Sequence, residues 1–217
     1  MEFDKKRYNN WILTKKEKKL IKDLLKNFTG ISVREKNSVK LVKKYFGIKP
    51  EVVLDPTLLI NKKYYLNIIK NLKININITN DFIFTYLFRN ESNTRKFINK
   101  AKRILKYKIY NVKMNENHSI EKFIYGIVNS KAVITSSFHG TIFSIIFNKP
   151  FICFMFKGSP KGRLISLKET LKLSNRIFEY NENPNISLLT TPLDINHTLI
   201  NLLKNRSIDY LKKNLNI

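Results

Sequence analysis

One segment of the chain combines hydroxyl, imidazole and glycine residues in the order expected of an anion-binding loop. Ser136-Ser137-Phe138-His139-Gly140 follows an apolar stretch typical of a buried strand and precedes an apolar helical stretch. The start of a helix offers N–H groups and the positive end of its dipole to phosphate or carboxylate. Gly140 would allow close backbone approach, and His139 can donate a hydrogen bond or transfer a proton. The competing interpretation is that a serine only caps the helix and His139 packs beneath it.

Two further segments carry cationic side chains next to predicted strand ends. Residues 157–163, from Lys157 to Arg163, form a basic loop with two glycines but without the spacing of a Walker phosphate loop. Either a lid over an anionic ligand or a solvated turn fits this loop. Arg34 ends a short predicted strand and precedes a helix, where its guanidinium could bind a carboxylate or phosphate with two parallel hydrogen bonds. A structural ion pair of Arg34 with Glu35 or Asp55 is the alternative.

The remaining candidate residues do not form a cluster at the spacing of metal ligands. His118 and His197 are isolated from other ligand types, so we expect them at the surface. Cys153 lies in an apolar segment and is expected to be inert core. Asp55 and Pro56 predict a rigid strand exit rather than a catalytic carboxylate. The sequence therefore predicts no metal centre.

Strands and helices alternate along most of the chain. A helix over 15–27 follows the capping pattern of Thr14 and Glu17, and a second helical stripe ends at Gly47. Short strands are predicted at 31–34 and 51–54. The later predicted strands are 82–88, 108–112, 132–135, 151–156 and 176–180, and the later helices are 93–106, 119–130, 141–147, 164–173 and a helical region from about 194.

This alternation predicts an α/β, Rossmann-like fold, in which a mostly parallel sheet carries helices on both faces. Ligands of such sheets bind beyond the carboxyl ends of the strands, which is where residues 136–140 fall. The Asn- and Lys-rich stretch 61–80 has no clear period and predicts a connecting helix or linker. It is the candidate boundary between two domains, 1–65 and 66–217.

The composition excludes several classes of protein. The chain has 217 residues, of which 43% are hydrophobic and 12% aromatic, enough to bury a core rather than remain disordered. A single cysteine excludes a disulfide framework and a multi-cysteine zinc site, and indicates a reducing compartment. The longest apolar stretch, 140–156, is interrupted by Asn148, Lys149 and Pro150 and is too short for a spanning helix. With no apolar signal region behind residues 1–10, we expect a cytoplasmic protein.

The charge is strongly positive, with 41 Lys and Arg against 16 Asp and Glu and a net charge of +25. Lysine is spread along every segment beside Asn and Ile, the bias of an AT-rich coding sequence, and no zinc-finger or RNP-like motif accompanies it. Specific nucleic-acid binding is therefore not indicated. A positive field would instead attract anionic substrates, and it is compatible with peripheral association at the inner face of the membrane.

Four segments together resemble the polysaccharide pyruvyl transferase family, in the order in which that family has them. These segments are 31–41, 52–60, 133–144 with 148–151, and 162–167, and the resemblance extends over about residues 15–173. It implies a GT-B-like arrangement of two Rossmann-type lobes. It also implies transfer of a pyruvyl group from phosphoenolpyruvate to sugar hydroxyls of a cell-surface glycan. The acceptor molecule would be the glycan itself or a lipid-linked saccharide. No cofactor is implied, since phosphoenolpyruvate is the donor substrate.

The resemblance also assigns roles to individual residues. Arg34 matches the family arginine that contacts phosphoenolpyruvate, and His139 matches the family histidine at the same ligand. Many members have arginine two positions before that histidine, where this chain has Ser137, so that contact is either missing or supplied from elsewhere, by Arg163 or Lys157. We therefore predict His139 and Arg34 as catalytic residues. The predicted substrate-binding residues are Ser136, Ser137, Gly140, Thr141, Lys157 and Arg163, together with the amides that follow Gly140.

The chain departs from the family in length. Members usually begin with a further stretch that contains a glycine-rich first strand-to-helix loop, so residues 1–65 correspond to the remnant of a first lobe and 66–217 to a second lobe with closing C-terminal helices. A truncated gene product, an incomplete gene prediction and a degenerate relative would each fit. Two other functions stay open: a nucleotide-sugar glycosyltransferase whose 136–140 loop holds a diphosphate, and a non-catalytic lobe that binds a partner or an anionic glycan.

Overall fold

The computed structural model describes residues 13–70, 81–89, 91–113, 119–158 and 161–216. Contacts divide the chain into two units, the first formed by Met1–Val53 with Arg206–Ile217 and the second by Leu54–Asn205. The prediction for His118 and the second half of the predicted linker, residues 71–80, lie outside the described ranges.

The helices and strands alternate as the sequence predicts. The described α-helices are α1 Lys15–Leu25, α2 Lys36–Phe46, α3 Pro56–Leu59, α4 Lys62–Lys70, α5 Ser92–Leu105, α6 Ile120–Asn129, α7 Phe138–Ile146, α8 Gly162–Thr170 and α9 His197–Leu215. The described strands are β1 Ser32–Val33, β2 Glu51–Val52, β3 Phe82–Leu87, β4 Lys108–Lys113, β5 Ala132–Thr135, β6 Phe151–Met155 and β7 Ile177–Glu179. A 3₁₀ turn, η1, covers Ile186–Leu189.

The first unit contains a two-stranded parallel sheet of β1 and β2. Helix α1 begins with the predicted capping box: the Glu17 amide donates to Thr14 Oγ1 over 3.2 Å, and the Thr14 amide donates to the Glu17 carboxylate over 2.8 Å. Helix α2 ends at Gly47, whose φ of 75° lies in the left-handed region that glycine adopts without steric cost. Both capping predictions are therefore confirmed.

The second unit contains a five-stranded sheet with the strand order β4-β3-β5-β6-β7. Every neighbouring pair is parallel. From β3 the chain moves outward to β4, whereas from β5 it moves outward in the opposite direction to β6 and then β7. The order of the strands therefore reverses between β3 and β5, which is the position where open α/β sheets bind their ligands. The predicted Rossmann-like α/β class is confirmed.

Successive side chains of the central strands point to opposite faces of the sheet, and a hydrophobic cluster forms on each face. Helix α5 and turn η1 cover one face, where the buried strand residues are Ile83, Ala132, Ile134, Ile152 and Phe154. Helices α6, α7 and α8 cover the other face, where they are Phe82, Phe84, Val112, Val133, Phe151, Cys153, Met155 and Ile177. Burial of each large side chain contributes roughly 1.5–3 kcal/mol. These two clusters confirm that helices lie on both faces.

Three local features differ from the sequence predictions. Helix α7 begins at Phe138 instead of residue 141, because Ser137 caps it by accepting a hydrogen bond from the Gly140 amide. Helix α3 and turn η1 were not predicted. Helix α3 forms because the Asp55 side chain accepts from the Thr57 amide over 3.1 Å and Pro56 occupies the first helical position, which its fixed φ favours.

The predicted boundary at residue 65 falls inside α4, which packs Tyr65 into the core of the second unit. The division into lobes 1–65 and 66–217, and the GT-B-like arrangement, stay predictions. Within the described ranges, no helix combines the length and the apolar character needed to cross a bilayer.

Arg176 is a buried cation that holds the segment after β7 against the sheet. It is 3% exposed, and its guanidinium donates to the carbonyls of Leu188, Thr191 (3.1 Å) and Pro192 (3.0 Å). Loss of water around the charge lowers the pKa of Arg176. One side chain thus satisfies three carbonyl groups of a loop that has little regular structure of its own.

We predict that Arg176→Met lowers the free energy of unfolding by about 3 kcal/mol, because it leaves buried carbonyl groups without donors. Denaturant unfolding followed by circular dichroism would measure this loss. Arg103→Met, at an exposed position of α5, is the matched control and should change stability by less than about 0.5 kcal/mol. Equal stability of the two variants would contradict the structural role of Arg176.

Candidate functional site

The loop after β5 is hydrogen-bonded to the end of β3, at the point where the strand order reverses. The Ser136 amide donates to the Tyr86 carbonyl over 3.1 Å, and the Phe88 amide donates to Ser136 Oγ over 2.8 Å. Because β3 and β5 are adjacent and parallel, their carboxyl ends meet at this edge. The structure therefore places residues 136–140 beyond the carboxyl ends of the strands, as the sequence predicted, next to the end of β3.

Side-chain hydrogen bonds determine how this loop enters α7. Thr135 Oγ1 donates to the Tyr86 carbonyl over 2.8 Å and accepts from the Ser137 amide over 3.0 Å. Ser137 Oγ then accepts from the Gly140 amide over 3.3 Å. Both Ser136 and Ser137 are at most 5% exposed. The two serines thus orient the loop, and Ser137 caps the helix as one of the sequence interpretations expected.

Gly140 is required by its contact with the preceding strand. A Cβ at this position would lie 2.3 Å from Thr135 Oγ1 and 3.1 Å from Thr135 Cβ, closer than carbon atoms pack. The sequence suggested that Gly140 allows a ligand to approach the backbone. The structure shows a close approach between the first turn of α7 and the end of β5, and the approach of a ligand to Gly140 stays a prediction.

Thr141 is completely buried beneath the loop. Its amide donates to the Ser137 carbonyl over 3.0 Å, and its hydroxyl donates to the same carbonyl over 3.1 Å. Cys153, in β6, is also completely buried, and burial raises the pKa of its thiol to about 12. The amide after Gly140 is therefore already paired within the helix. This geometry favours a supporting role for Thr141, and its direct contact with a substrate stays a prediction.

His139 occupies the second position of α7 and is exposed, whereas its neighbours Phe138 and Gly140 are buried. Its ring centroid lies 5.4 Å from that of Phe138 in an edge-to-face arrangement. The imidazole is therefore presented to solvent at the start of a helix rather than packed beneath it. An exposed imidazole in this position can donate a hydrogen bond to an anion or exchange a proton with it.

Arg163 lies close to this helix start. Its guanidinium carbon is 5.2 Å from the centroid of the Phe138 ring, within the range of a cation–π contact. Arg163 belongs to the first turn of α8 and is half-buried. The structure thus brings one of the two predicted substitute cations next to the residue that precedes His139.

The other cations of the predicted loops occupy different positions. The Lys157 amide donates to the Glu91 carboxylate over 3.0 Å at the end of β6, and its side chain is exposed. Lys161 forms an ion pair with Glu179. Arg34 is exposed directly after β1, before α2 begins, and belongs to the first unit. Within the second unit the structure therefore groups Arg163 with residues 136–141.

Sequence reasoning missed Arg89, which follows β3 at the strand-order reversal. Its guanidinium carbon lies 5.6 Å from the Phe156 ring centroid, and the Phe156 ring lies 5.7 Å from that of Phe88. Arg89 is exposed. The signal in the sequence was an arginine directly after a predicted strand. Arg89 lies near the loop after β5 because β3 and β5 are neighbours in the sheet. The order of elements along the chain does not reveal this pairing.

This arrangement defines a class of protein: a Rossmann-like α/β protein with an imidazole and a guanidinium at the N-terminus of α7, where its strand order reverses. No group of three or more possible metal ligands occurs among the described residues. A sequence model of the polysaccharide pyruvyl transferase family matches residues 10–157. Since the match covers more than half of the 217 residues, the chain belongs to the polysaccharide pyruvyl transferase family.

The match confirms the resemblance seen in the sequence and indicates a transferase that acts on a polysaccharide. It includes Arg34 and the whole segment from Ser136 to Thr141, and it ends before Arg163. Comparison with curated proteins finds no match, and neither does comparison with solved structures.

We predict that Gly140→Ala destabilises the protein by about 1–3 kcal/mol, because the added methyl group overlaps Thr135 Oγ1. Thr135→Ala removes that oxygen and tests the cause. Gly140→Ala should cost less in the Thr135→Ala background than in the original chain, which a double-mutant cycle of unfolding free energies would measure. Strict additivity of the two substitutions would contradict the overlap.

We also predict that the thiol of Cys153, which is 0% exposed, does not react with Ellman's reagent in the native protein. In denaturant, one thiol per chain should react, since the chain has a single cysteine. Ser92→Cys, at an exposed position, is the control and should react rapidly without denaturant. Rapid reaction of native Cys153 would show that β6 is accessible.

The same thiol has a consequence for stability at alkaline pH. Its pKa rises from an ordinary value of 9.0 to about 12 on folding, so the unfolded chain loses this proton first as pH rises. The contribution of Cys153 to stability is therefore complete below pH 9 and is lost as pH increases toward about 12.

Proposed function

We propose that this protein transfers a pyruvyl group from phosphoenolpyruvate to two hydroxyls of a sugar in a cell-surface polysaccharide, forming a ketal. The observation that carries the proposal is the exposed imidazole of His139 in the first turn of α7. This turn lies where the strand order reverses, inside the segment that matches the family. Family membership supports the transfer reaction, and the cationic surroundings support an anionic donor.

The chemistry follows from the reactivity of an enol phosphate. Protonation of its methylene carbon makes the adjacent carbon electrophilic, and a sugar hydroxyl attacks that carbon and releases its proton. A second hydroxyl of the sugar then displaces phosphate from the same carbon, passes its proton to the departing phosphate and closes the ketal. The reaction needs a group that moves protons and groups that hold the phosphate and the carboxylate as charge develops.

In this proposal His139 transfers the proton or binds the phosphate, and Arg34 holds the carboxylate or the phosphate. Arg163 supplies the second guanidinium, which its contact with Phe138 supports. Lys157 adds positive charge at the end of β6. The buried hydroxyls of Ser136 and Ser137 accept from the Phe88 and Gly140 amides, and their O–H groups are the proposed donors to the phosphate. Gly140 and Thr141 act by positioning this turn, since both are buried and paired within it.

The acceptor is a glycan or a lipid-linked saccharide. We further propose that the protein works at the inner face of the membrane, because a net charge of +25 attracts anionic lipids to it. The donor, phosphoenolpyruvate, is itself an anion and is drawn by the same field.

We predict that phosphoenolpyruvate raises the melting temperature of the full chain. A ligand that binds only the native state at a hundred times its Kd stabilises by about 2.7 kcal/mol, or about 5–10 °C for a chain of this size. Differential scanning fluorimetry with phosphoenolpyruvate, inorganic phosphate and UDP-glucose, each at the same ionic strength, would measure the shift. A larger shift with UDP-glucose would instead identify a nucleotide-sugar glycosyltransferase.

His139→Ala and Arg34→Ala should each abolish the phosphoenolpyruvate-dependent shift and the release of phosphate in the presence of acceptor. Arg103→Ala removes an exposed arginine of α5 and should leave both unchanged. If both site variants retain the shift, the proposed site is wrong. If only binding to acidic polymers is seen, and it is salt-sensitive and survives His139→Ala, the chain is a non-catalytic glycan-binding lobe.

A further inference from the structure

We propose that a cationic groove in the second unit binds an anionic amphiphile, a phosphate ester that carries an alkyl chain. The groove has a volume of about 260 Å³ and lies among α3, the start of α4, the end of α7 and the start of α9. Its apolar floor includes Leu58, Ile145 and Ile200, and its rim includes Lys62, His197 and Lys204. We call it the Lys62–Lys204 groove.

The floor of the groove is hydrocarbon. Leu58 and Ile145 belong to the core of the second unit, at 6% and 5% exposure, and Ile200 packs against that core from α9. Ile60, at the edge of the groove, is 46% exposed. An alkyl chain of a few carbons placed here would cover apolar surface that now faces water, at roughly 25 cal/mol for each Å² removed from water.

The rim of the groove carries positive charge. No carboxylate belongs to the described residues that line it, whereas two ammonium groups and an imidazole do. Neither Lys62 nor Lys204 takes part in an ion pair among the described residues. An ammonium group binds phosphate as a point charge. Charge complementarity therefore favours an anionic head over a neutral one.

Side-chain contacts form the groove in advance of any ligand. The Tyr65 hydroxyl donates to the Thr57 carbonyl over 3.0 Å, and the Tyr65 ring packs edge-on against Phe143 of α7 at 4.9 Å. These contacts hold α3 and α4 against α7. Asn61 accepts from the Lys63 amide, and Asn196 accepts from the Leu199 amide, so both helices that carry the rim are capped. A groove built on capped helices needs little reorganisation to bind a ligand.

The groove and the His139 loop lie at opposite ends of the same helix. His139 is in the first turn of α7 and Ile145 in its last, about 9 Å apart along the axis at 1.5 Å per residue. Binding in the groove therefore does not depend on the proposed function, and the two can fail separately. A membrane lipid or a free alkyl phosphate would present the same chemistry to it.

The experiment compares three soluble ligands below their micelle concentrations by titration calorimetry of the full chain: octyl phosphate, inorganic phosphate and octyl glucoside. Octyl phosphate should bind at least tenfold more tightly than either of the others, because only it uses the floor and the rim together. Equal binding of octyl glucoside would show that the rim is irrelevant. Equal binding of inorganic phosphate would show that the floor is irrelevant. Either result would overturn the proposal.

Matched variants test whether the binding occurs in this groove. The double variant Lys62→Gln/Lys204→Gln should weaken octyl phosphate at least tenfold without changing the melting temperature. Lys96→Gln/Lys100→Gln removes the same charge from the exposed face of α5 and should leave the affinity unchanged. Ile200→Ser should weaken octyl phosphate and not inorganic phosphate. An unchanged affinity of the Lys62→Gln/Lys204→Gln variant would overturn the proposal even if octyl phosphate binds elsewhere.

A vesicle assay then identifies the source of the ligand. Co-sedimentation with phosphatidylcholine vesicles that contain about 30% phosphatidic acid would be compared with pure phosphatidylcholine. If Lys62→Gln/Lys204→Gln reduces vesicle binding more than Lys96→Gln/Lys100→Gln, the groove binds a lipid head group in the bilayer. If the two variants bind vesicles equally but differ toward octyl phosphate, the groove binds a dispersed amphiphile. Both results support the proposed chemistry.

Discussion

The hydrogen bonds between the end of β5 and the end of β3 are the constraint on which the candidate site depends. Thr135 and Ser136 both bond the Tyr86 carbonyl, and Ser136 also accepts from the Phe88 amide. These bonds determine where the chain leaves the sheet, and the contact of Gly140 with Thr135 determines how closely α7 begins behind it. His139 reaches solvent because the residues around it are held inward. The serines thus contribute to the site first by orienting it.

Positive charge is used differently in different parts of the second unit. Arg176 is buried and serves the fold, because three carbonyl groups surround it. Arg163 and Arg89 lie over aromatic rings near the strand-order reversal, where the aromatic face orients the guanidinium. The lysines of the Lys62–Lys204 groove border hydrocarbon instead. The net charge alone does not distinguish these three environments.

Much of the fold could be predicted because its signals are local. A capping box needs only Thr14 and Glu17, three residues apart, and a left-handed helix end needs only Gly47. The apolar periods likewise lie within short windows. The start of α7 was predicted three residues too late, because residues 136–140 were interpreted as a loop, whereas the Ser137 cap starts the helix at Phe138.

The sequence by itself determined the α/β class, most of the helices and strands, and the membership of a transferase family. Each of these is indicated by patterns of residues that lie close together along the chain. Only the tertiary structure decided that β3 lies beside β5, that Arg163 meets Phe138 and that α3, α7 and α9 enclose a cationic groove. These contacts join residues far apart in the chain. They depend on how whole helices and strands pack, a sum of many weak interactions that no short segment contains.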